Sequence, residues 1–242
     1  MNWPMPVEAI VLAGGLGTRL RPVISDAPKP MAPVHGRPFL EYLMDYWIGQ
    51  GVQRFILSVG YLGEQIEAHF GNVYRGLDVS YIREKSPLGT GGGIRQALIN
   101  TEWRQPHAVI VNGDTWYEVN LPQLVEDAKK TAQPVTITLK PMKYNDRYGA
   151  VNVDAGGHVS EFGIKTDSSC LINGGCYLVD VDVLKNDLRD YPERFSMEQD
   201  YLVQLAKEGR VAASIQAATF LDIGMPDDYA LAPNVLGKKA LA

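Results

Sequence analysis

The sequence has few features of an extracellular or membrane-bound protein. Cys170 and Cys176 are the only cysteines among 242 residues, and their spacing matches neither a Cys-x-x-Cys pair nor the disulfide framework of a small secreted domain. We expect both thiols to be reduced core residues. Residues 1–6 carry no Lys or Arg and contain two prolines, unlike a signal peptide. No run approaches the roughly 18 apolar residues of a membrane span, so we expect a cytoplasmic protein with no membrane partner.

Positive charge is also scarce. The 23 Lys and Arg residues against 28 Asp and Glu give a formal net charge of −5, which argues against nucleic acid or an anionic membrane as a partner. The four histidines are scattered without metal-ligand spacing, and we expect all of them on the surface or in loops. A composition of 45% hydrophobic and 21% charged residues is that of a globular chain and excludes a disordered or fibrous one.

The order of apolar segments predicts an α/β fold. In the first 115 residues, candidate strands at 9–13, 55–59, 79–82 and 109–111 alternate with candidate helices at 39–47, 64–70 and 92–99. This alternation predicts a mostly parallel sheet with ligands outside the carboxyl ends of its strands. A helix at 121–131 and strands at 135–139, 150–153, 158–162 and 176–179 make the second half richer in strands. We predict a single domain over residues 1–236, with a nucleotide half to about residue 120, an acceptor half over 121–236, and a tail at 237–242.

A glycine-rich segment follows the first candidate strand. Residues 12–22 read LAGGLGTRLRP, in which small residues let backbone N–H groups approach phosphates and Arg19 and Arg21 add positive charge. Leu20 replaces the third glycine of a dinucleotide-binding motif, and the Gly-Lys-Ser/Thr ending of a P-loop is absent. The prolines on both sides of Lys29 in PKPM restrict the backbone that presents this lysine. The segment predicts a phosphate site of neither common type.

Seven motifs in order resemble those of the sugar-1-phosphate nucleotidylyltransferases, also called nucleotide-sugar pyrophosphorylases. They are LAGGLGTRLRP at 12–22, PKPM at 28–31, PLGTGGG at 87–93, NGDT at 112–115, DRYGAV at 146–151, INGGCYL at 172–178 and FLDIG at 220–224. The resemblance covers nearly the whole chain and implies a Rossmann-like three-layer fold with a mostly parallel mixed central sheet. Within the family, the short length and FSMEQDYL at 195–202 look most like the D-glycero-α-D-manno-heptose 1-phosphate guanylyltransferases of bacterial GDP-heptose synthesis.

The resemblance implies a reaction and a set of triphosphate ligands. A sugar 1-phosphate attacks the α-phosphorus of a nucleoside triphosphate and releases pyrophosphate, without a general base because the second pKa of the phosphate is near 6. Arg19 and Lys29 match the residues that bind the triphosphate and the transition state. Asp114 and Asp222 both follow apolar strands and match the pair that holds Mg²⁺, an ion typically bound by one or two carboxylates plus phosphates. The other nucleotide-binding residues that we expect are Leu12, Ala13, Gly14, Gly15, Gly17, Thr18, Glu84, Pro87, Gly89 and Thr90.

The resemblance also implies a sugar-phosphate site, from which this chain departs in two places. The matching residues are Asn112, Gly149, Lys165, Asn173, Gly174 and Glu198. Ile164 stands where the family has a glutamate, so a sugar hydroxyl contact is absent or is supplied by Asn173, Glu161 or Glu198. Glu198 could equally be an exposed helix residue. Met225 stands where the family commonly has threonine.

Glu84 bears on the identity of the base. Relatives selective for thymine or uracil typically carry glutamine there, whereas a carboxylate only accepts hydrogen bonds and suits the N1–H and N2 donors of guanine. GTP is therefore the expected donor, unless Glu84 faces solvent in its charged turn. Two alternatives to the heptose enzyme stay open: a nucleotidylyltransferase for mannose or glucose 1-phosphate that uses GTP or UTP/dTTP, and a non-catalytic regulatory module. A homo-oligomer is possible.

Overall fold

The computed structural model describes residues 5, 7–20, 22–24, 26–143, 148–164 and 169–237. Its strands are β1 Glu8–Ala13, β2 Pro33–Val34, β3 Arg37–Pro38, β4 Arg54–Val59, β5 Val73–Tyr74, β6 Leu77–Arg83, β7 His107–Asn112, β8 Thr115–Tyr117, β9 Val135–Met142, β10 Ala150–Val153, β11 Val159–Ile164, β12 Cys170–Asp180, β13 Val211–Ile215 and β14 Phe220–Asp222. Its α-helices are α1 Phe39–Gly49, α2 Gly63–Phe70, α3 Gly89–Asn100, α4 Leu121–Thr131, α5 Val181–Asp187, α6 Val203–Lys207 and α7 Pro226–Leu236. Lys29–Met31 form a 3₁₀ turn and Met197–Leu202 a π-helix.

Ten of these strands form one mixed sheet. Its order is β11-β10-β12-β7-β1-β4-β6-β5, with β9 paired to β12 and β13 paired to β9. The strands β7, β1, β4 and β6 run parallel, whereas β12 runs antiparallel to β7. The predicted α/β class with a mixed central sheet is confirmed. Among the described residues four strand pairs of this sheet are parallel and five are antiparallel, and the antiparallel pairs lie mainly in the second half of the chain.

The sheet is covered on both faces. Successive side chains of a strand point to opposite faces, and on β1 Val11 packs into one apolar cluster while Ile10 packs into another. The first cluster includes Trp47 of α1, and the second includes Ile94 of α3. Burial on both faces explains why the central strands read as continuous apolar runs rather than alternating ones. The result is the expected three-layer arrangement.

Three expectations need correction. His107 is not a surface residue: it begins the internal strand β7, is only 7% exposed, and its pKa is lowered by burial. β12 begins at Cys170, six residues before the predicted strand start, and includes the glycines of INGG. Cys176 is buried as expected, but Cys170, also expected in the core, is only partly buried. No helix among the described residues is long and apolar enough to cross a membrane.

Candidate active site

Two aspartates meet beside the carboxyl ends of the central strands. Asp114 follows β7 directly and precedes β8, and β8 pairs with β14 so that Asp222 lies opposite Thr115. The backbone N–H of Ile223 donates to the carbonyl of Asp114 at 3.0 Å. This small second sheet brings together two residues that are more than 100 positions apart in the chain.

Lys29 completes a charged cluster with these aspartates. Its Nζ lies 2.5 Å from Oδ2 of Asp114, and its side chain is 11% exposed. The rigid Pro-Lys-Pro backbone fits a 3₁₀ turn, since proline is tolerated in the first turn of a helix. The same proline restriction that the sequence suggested therefore fixes this lysine against the acidic pair.

The electrostatics of the cluster favour a cation. Burial and the nearby charge of Asp114 raise the pKa of Asp222, and the Gly224 N–H, Lys29 and the Tyr148 hydroxyl act against that rise. Tyr148 donates to Oδ2 of Asp222 at 3.2 Å and Gly224 N–H donates to Oδ1 at 2.8 Å. Within the described residues no group of three or more His, Cys, Asp or Glu forms a metal site. Two carboxylates with a mutual repulsion nevertheless fit Mg²⁺, which takes its remaining ligands from phosphates and water.

One side of the cluster opens into a cleft of about 290 Å³, which we call the Glu84 cleft. Its lining residues are Leu12, Gly14, Gly15, Leu16, Glu84, Pro87, Gly89, Thr90, Asn112, Asp114 and Arg194. Seven of these were predicted to bind the nucleotide. Of the other predicted nucleotide residues, Ala13 is buried in β1, Gly17 packs on the side chain of Lys29, and Thr18 is exposed.

Glu84 is half-buried and held in place rather than solvent-facing. Its Oε1 accepts from the Ser58 hydroxyl at 3.0 Å and its Oε2 from the backbone N–H of Leu88 at 3.1 Å. A Cβ on Gly14 would lie 2.3 Å from Oε1, so the glycine-rich segment needs a glycine where it passes this carboxylate. A carboxylate has about four acceptor positions, which leaves about two for a ligand.

The other side of the cluster opens into a cavity of about 500 Å³, which we call the Glu198 cavity. Thr90, Asn112 and Asp114 line both the cavity and the Glu84 cleft. The predicted sugar-phosphate residues in its wall are Asn112, Gly149, Asn173, Gly174 and Glu198. Lys165 lies outside the described residues. Glu161 is exposed and does not line the cavity, so Asn173 and Glu198 are the candidates to replace the glutamate missing at Ile164.

A chain of hydrogen bonds fixes the polar groups of this cavity. Glu198 Oε2 accepts from Thr90 Oγ1 at 2.6 Å, and Glu198 Oε1 accepts from the Tyr177 hydroxyl at 3.0 Å. The same hydroxyl accepts from Asn173 Nδ2 at 3.0 Å. Tyr177 is fully buried, which raises its pKa well above the usual value and keeps the hydroxyl protonated. Glu198 is therefore not a free helix residue, and Tyr177 orients two candidate sugar ligands.

An irregularity in β12 shapes the cavity wall. The pairing of β12 with β9 shifts register between Asn173 and Tyr177, where Gly175 has φ +69. A Cβ on Gly174 would lie 2.3 Å from the ring of Tyr117. These two glycines let the strand bulge beside the cavity, which explains why a glycine-containing motif that looks like a loop continues a strand.

Some site residues were not predicted. Arg194 and Gln199 come from a segment distant in sequence, and Tyr177 sits in an apolar strand pattern that signals only core packing. Arg19, predicted to bind the triphosphate, is exposed and lines the Glu198 cavity rather than the Glu84 cleft. Its Nη1 donates to Sδ of Met225 at 3.1 Å, so the unusual methionine contacts a predicted catalytic residue.

Comparison with known proteins identifies the family of the chain. A family model described as nucleotidyl transferase matches residues 8–238. The chain belongs to this family. It is 42% identical over 231 residues to a D-glycero-α-D-manno-heptose 1-phosphate guanylyltransferase of Aneurinibacillus thermoaerophilus, covering 95% of this chain and 98% of the relative. It is 41% identical to the enzyme of the same name from Campylobacter jejuni, covering 92% and 97%.

More distant relatives and solved structures extend the likeness. A mannose-1-phosphate guanylyltransferase of Mycobacterium tuberculosis is 34% identical, with 92% of this chain and 62% of that protein covered. The crystal structure of HddC from Yersinia pseudotuberculosis matches with a TM-score of 0.82 and 33% identity over 95% of this chain and 99% of that one. HddC complexed with GMP-PN matches with a TM-score of 0.79 and 34% identity over the same shares.

Proposed function

We propose that the protein transfers a guanylyl group from GTP to D-glycero-α-D-manno-heptose 1-phosphate, giving GDP-heptose and pyrophosphate. The proposal rests on one observation: the Glu84 cleft and the Glu198 cavity, which offer different polar groups, adjoin each other at Asp114. The Glu84 cleft offers a carboxylate acceptor for a base, and the Glu198 cavity offers amide and carboxylate groups for a sugar. The relatives at 41–42% identity, named heptose 1-phosphate guanylyltransferases, support the pairing of these two substrates.

The reaction joins the contents of the two pockets. An oxygen of the sugar phosphate forms a bond to the α-phosphorus of GTP, while the bond from that phosphorus to the oxygen bridging to the β-phosphorus breaks and pyrophosphate departs with the electron pair. The attacking phosphate is largely ionised at neutral pH, so the protein has no proton to remove. Its task is to align the two substrates and to neutralise charge. Arg19 and Lys29 supply the cations for this task.

Asp114 and Asp222 would hold Mg²⁺. When bound, the ion would screen the triphosphate and stabilise the charge that develops on the leaving pyrophosphate. Lys29 lies against the same carboxylates, so its ammonium group is positioned to share the neutralisation of the phosphates. The raised pKa of Asp222 is the cost of keeping two acidic groups together for this purpose.

Guanine selectivity follows from the acceptors of the Glu84 cleft. Glu84 retains about two free acceptor positions, which matches the two adjacent donors of guanine, N1–H and the exocyclic amine. Uracil and thymine present one donor flanked by carbonyl oxygens, which the carboxylate would repel. Arg194, at the edge of the same cleft, adds positive charge near the place expected for the nucleotide.

The test is a matrix of pyrophosphate release for ATP, GTP, UTP and dTTP against heptose, mannose and glucose 1-phosphates. We expect GTP with heptose 1-phosphate to give the highest kcat/KM. The enzyme named for mannose 1-phosphate in M. tuberculosis makes GTP with mannose 1-phosphate the second candidate. Highest activity with UTP or dTTP would contradict the role given to Glu84. The cytoplasmic location stays a prediction.

A further inference from the structure

The Glu198 cavity is lined by a polar side chain, that of Gln199, to which the proposed reaction assigns no role. Val151, Phe162 and Val203 line the same cavity. The backbone N–H of Gln199 donates to Ser196 Oγ at 3.1 Å, but its side-chain amide makes no hydrogen bond within the residues that the structure describes. Two donors and two acceptor positions are thus free at the cavity wall.

The π-helix Met197–Leu202 explains why Glu198, Gln199 and Val203 all face the cavity. A π-helical turn joins residues five apart, so Glu198 and Val203 lie one turn apart and both line the cavity. Leu202, which an α-helical turn would align with Glu198, is fully buried instead. The wider turn presents Glu198, Gln199 and Val203 to one cavity.

The strands that carry Val151 and Phe162 lie away from Asp114 in the sheet. Phe162 is on β11, opposite Val151 of β10, and α6 packs against β11. In the sheet, β11 is three strands away from β7, after which Asp114 lies. At the usual strand spacing this is about 14 Å. Two other polar groups of the cavity, those of Asn173 and Glu198, already hydrogen-bond to the Tyr177 hydroxyl.

A heptose 1-phosphate differs from mannose 1-phosphate by one further carbon and one further hydroxyl beyond C5. With the anomeric phosphate at the Asp114 end, that extension needs an apolar surface for its carbons and a flexible hydrogen-bonding group for its hydroxyls. We propose that Gln199, with Val151, Phe162 and Val203, binds this extension and sets the preference for a heptose over a hexose. The inference rests on the proposed function and assigns the residue that determines its sugar specificity.

The experiment compares kcat/KM for heptose 1-phosphate and mannose 1-phosphate, at saturating GTP and Mg²⁺, in the wild type and in Gln199→Ala. A neutral hydrogen bond at an exposed amide corresponds to about a three- to tenfold effect. We expect the heptose value to fall by that factor and the mannose value to change less than twofold. Where mannose 1-phosphate turns over slowly, its inhibition constant provides the comparison. Gln204→Ala is the matched control, because Gln204 is exposed on α6 and bonds to Glu208 outside the cavity.

A second variant tests the apolar part of the wall. Val203→Phe narrows the space beyond the sugar ring. It should lower kcat/KM for heptose 1-phosphate more than kcat/KM for mannose 1-phosphate. Thermal melting checks that the variant folds. Equal changes for the two sugars in both variants would overturn the assignment of Gln199 while leaving the guanylyltransferase proposal intact. A wild-type enzyme that does not use heptose 1-phosphate would overturn the proposed function and the inference with it.

Discussion

Replacing Glu84 by glutamine tests the basis of guanine recognition. In the structure Oε2 accepts from the Leu88 N–H and Oε1 from the Ser58 hydroxyl. A glutamine can keep its oxygen toward Leu88 and turn its NH₂ group toward Ser58, whose hydroxyl oxygen also accepts. The loop is then preserved, but one of the two free acceptor positions becomes a donor that opposes a guanine N–H.

The expected loss follows from that exchange. A hydrogen bond to a charged group contributes about 1.5–3 kcal/mol, which corresponds to about a ten- to hundredfold fall in kcat/KM for GTP. UTP should improve, because an amide can both accept from N3–H and donate to a neighbouring carbonyl. The assay is pyrophosphate release with each nucleotide at fixed sugar phosphate.

Glu67→Gln is the matched control, since Glu67 pairs with Arg83 on the surface and does not line the cleft. Its GTP-to-UTP ratio should equal that of the wild type. If Glu84→Gln lowers GTP and UTP by the same factor, Glu84 only braces the loop at Leu88, and the reasoning about guanine is refuted.

Three further predictions concern the acidic pair and the buried tyrosine. Asp114→Asn and Asp222→Asn should each lower turnover by about a hundredfold or more at saturating Mg²⁺, because several kcal/mol of charge stabilisation are lost; near-normal rates would remove the residue from the metal site. The pKa of Asp222 is higher in the folded protein than in the unfolded chain, so the ionised carboxylate destabilises the fold at neutral pH. In the absence of Mg²⁺, the free energy of unfolding should therefore increase as the pH falls toward that pKa, while turnover decreases. In EDTA, Asp222→Asn should therefore have a higher Tm than the wild type, by about 2–4 °C for each kcal/mol gained in the free energy of unfolding. An unchanged or lower Tm would contradict this. Tyr177→Phe should raise KM for the sugar phosphate about tenfold without changing KM for GTP. The control Tyr42→Phe removes a buried hydroxyl that bonds to Val34 and should change neither constant. If Tyr177→Phe shifts both constants, the tyrosine has a general packing role instead.

Local sequence pattern alone predicts the part of the site that follows a parallel strand, whereas the roles of Glu84, Glu198 and Asp222 were predicted only from the family resemblance. Asp114 follows a buried apolar strand, and the carboxyl ends of parallel strands meet at one edge of the sheet. The location of Asp114 beside the glycine-rich segment therefore depends only on local pattern and on the handedness of the crossovers. For Lys29, the adjacent prolines indicated only a restricted backbone, and its role in binding the triphosphate was predicted from the family resemblance.

Other parts depend on packing between distant segments. Glu198 reaches Thr90 across 108 positions, and this contact requires a π-helix that no local pattern indicates. Tyr177 occupies a strand whose apolar neighbours suggest only core, and nothing in the sequence reveals that its hydroxyl joins Asn173 to Glu198. Arg194 reaches the Glu84 cleft because Phe195 exchanges backbone hydrogen bonds with Leu88 and Gly91. These contacts between distant segments were accessible only from the folded chain.

Product analysis tests guanylyl transfer most directly. The wild-type enzyme is incubated with GTP, D-glycero-α-D-manno-heptose 1-phosphate and Mg²⁺, and the products are identified by mass spectrometry and quantified. We predict GDP-heptose and pyrophosphate in equal amounts, with no product when Mg²⁺ is removed. Absence of GDP-heptose, with a nucleotide sugar formed instead from UTP or dTTP and a hexose 1-phosphate, would contradict this prediction.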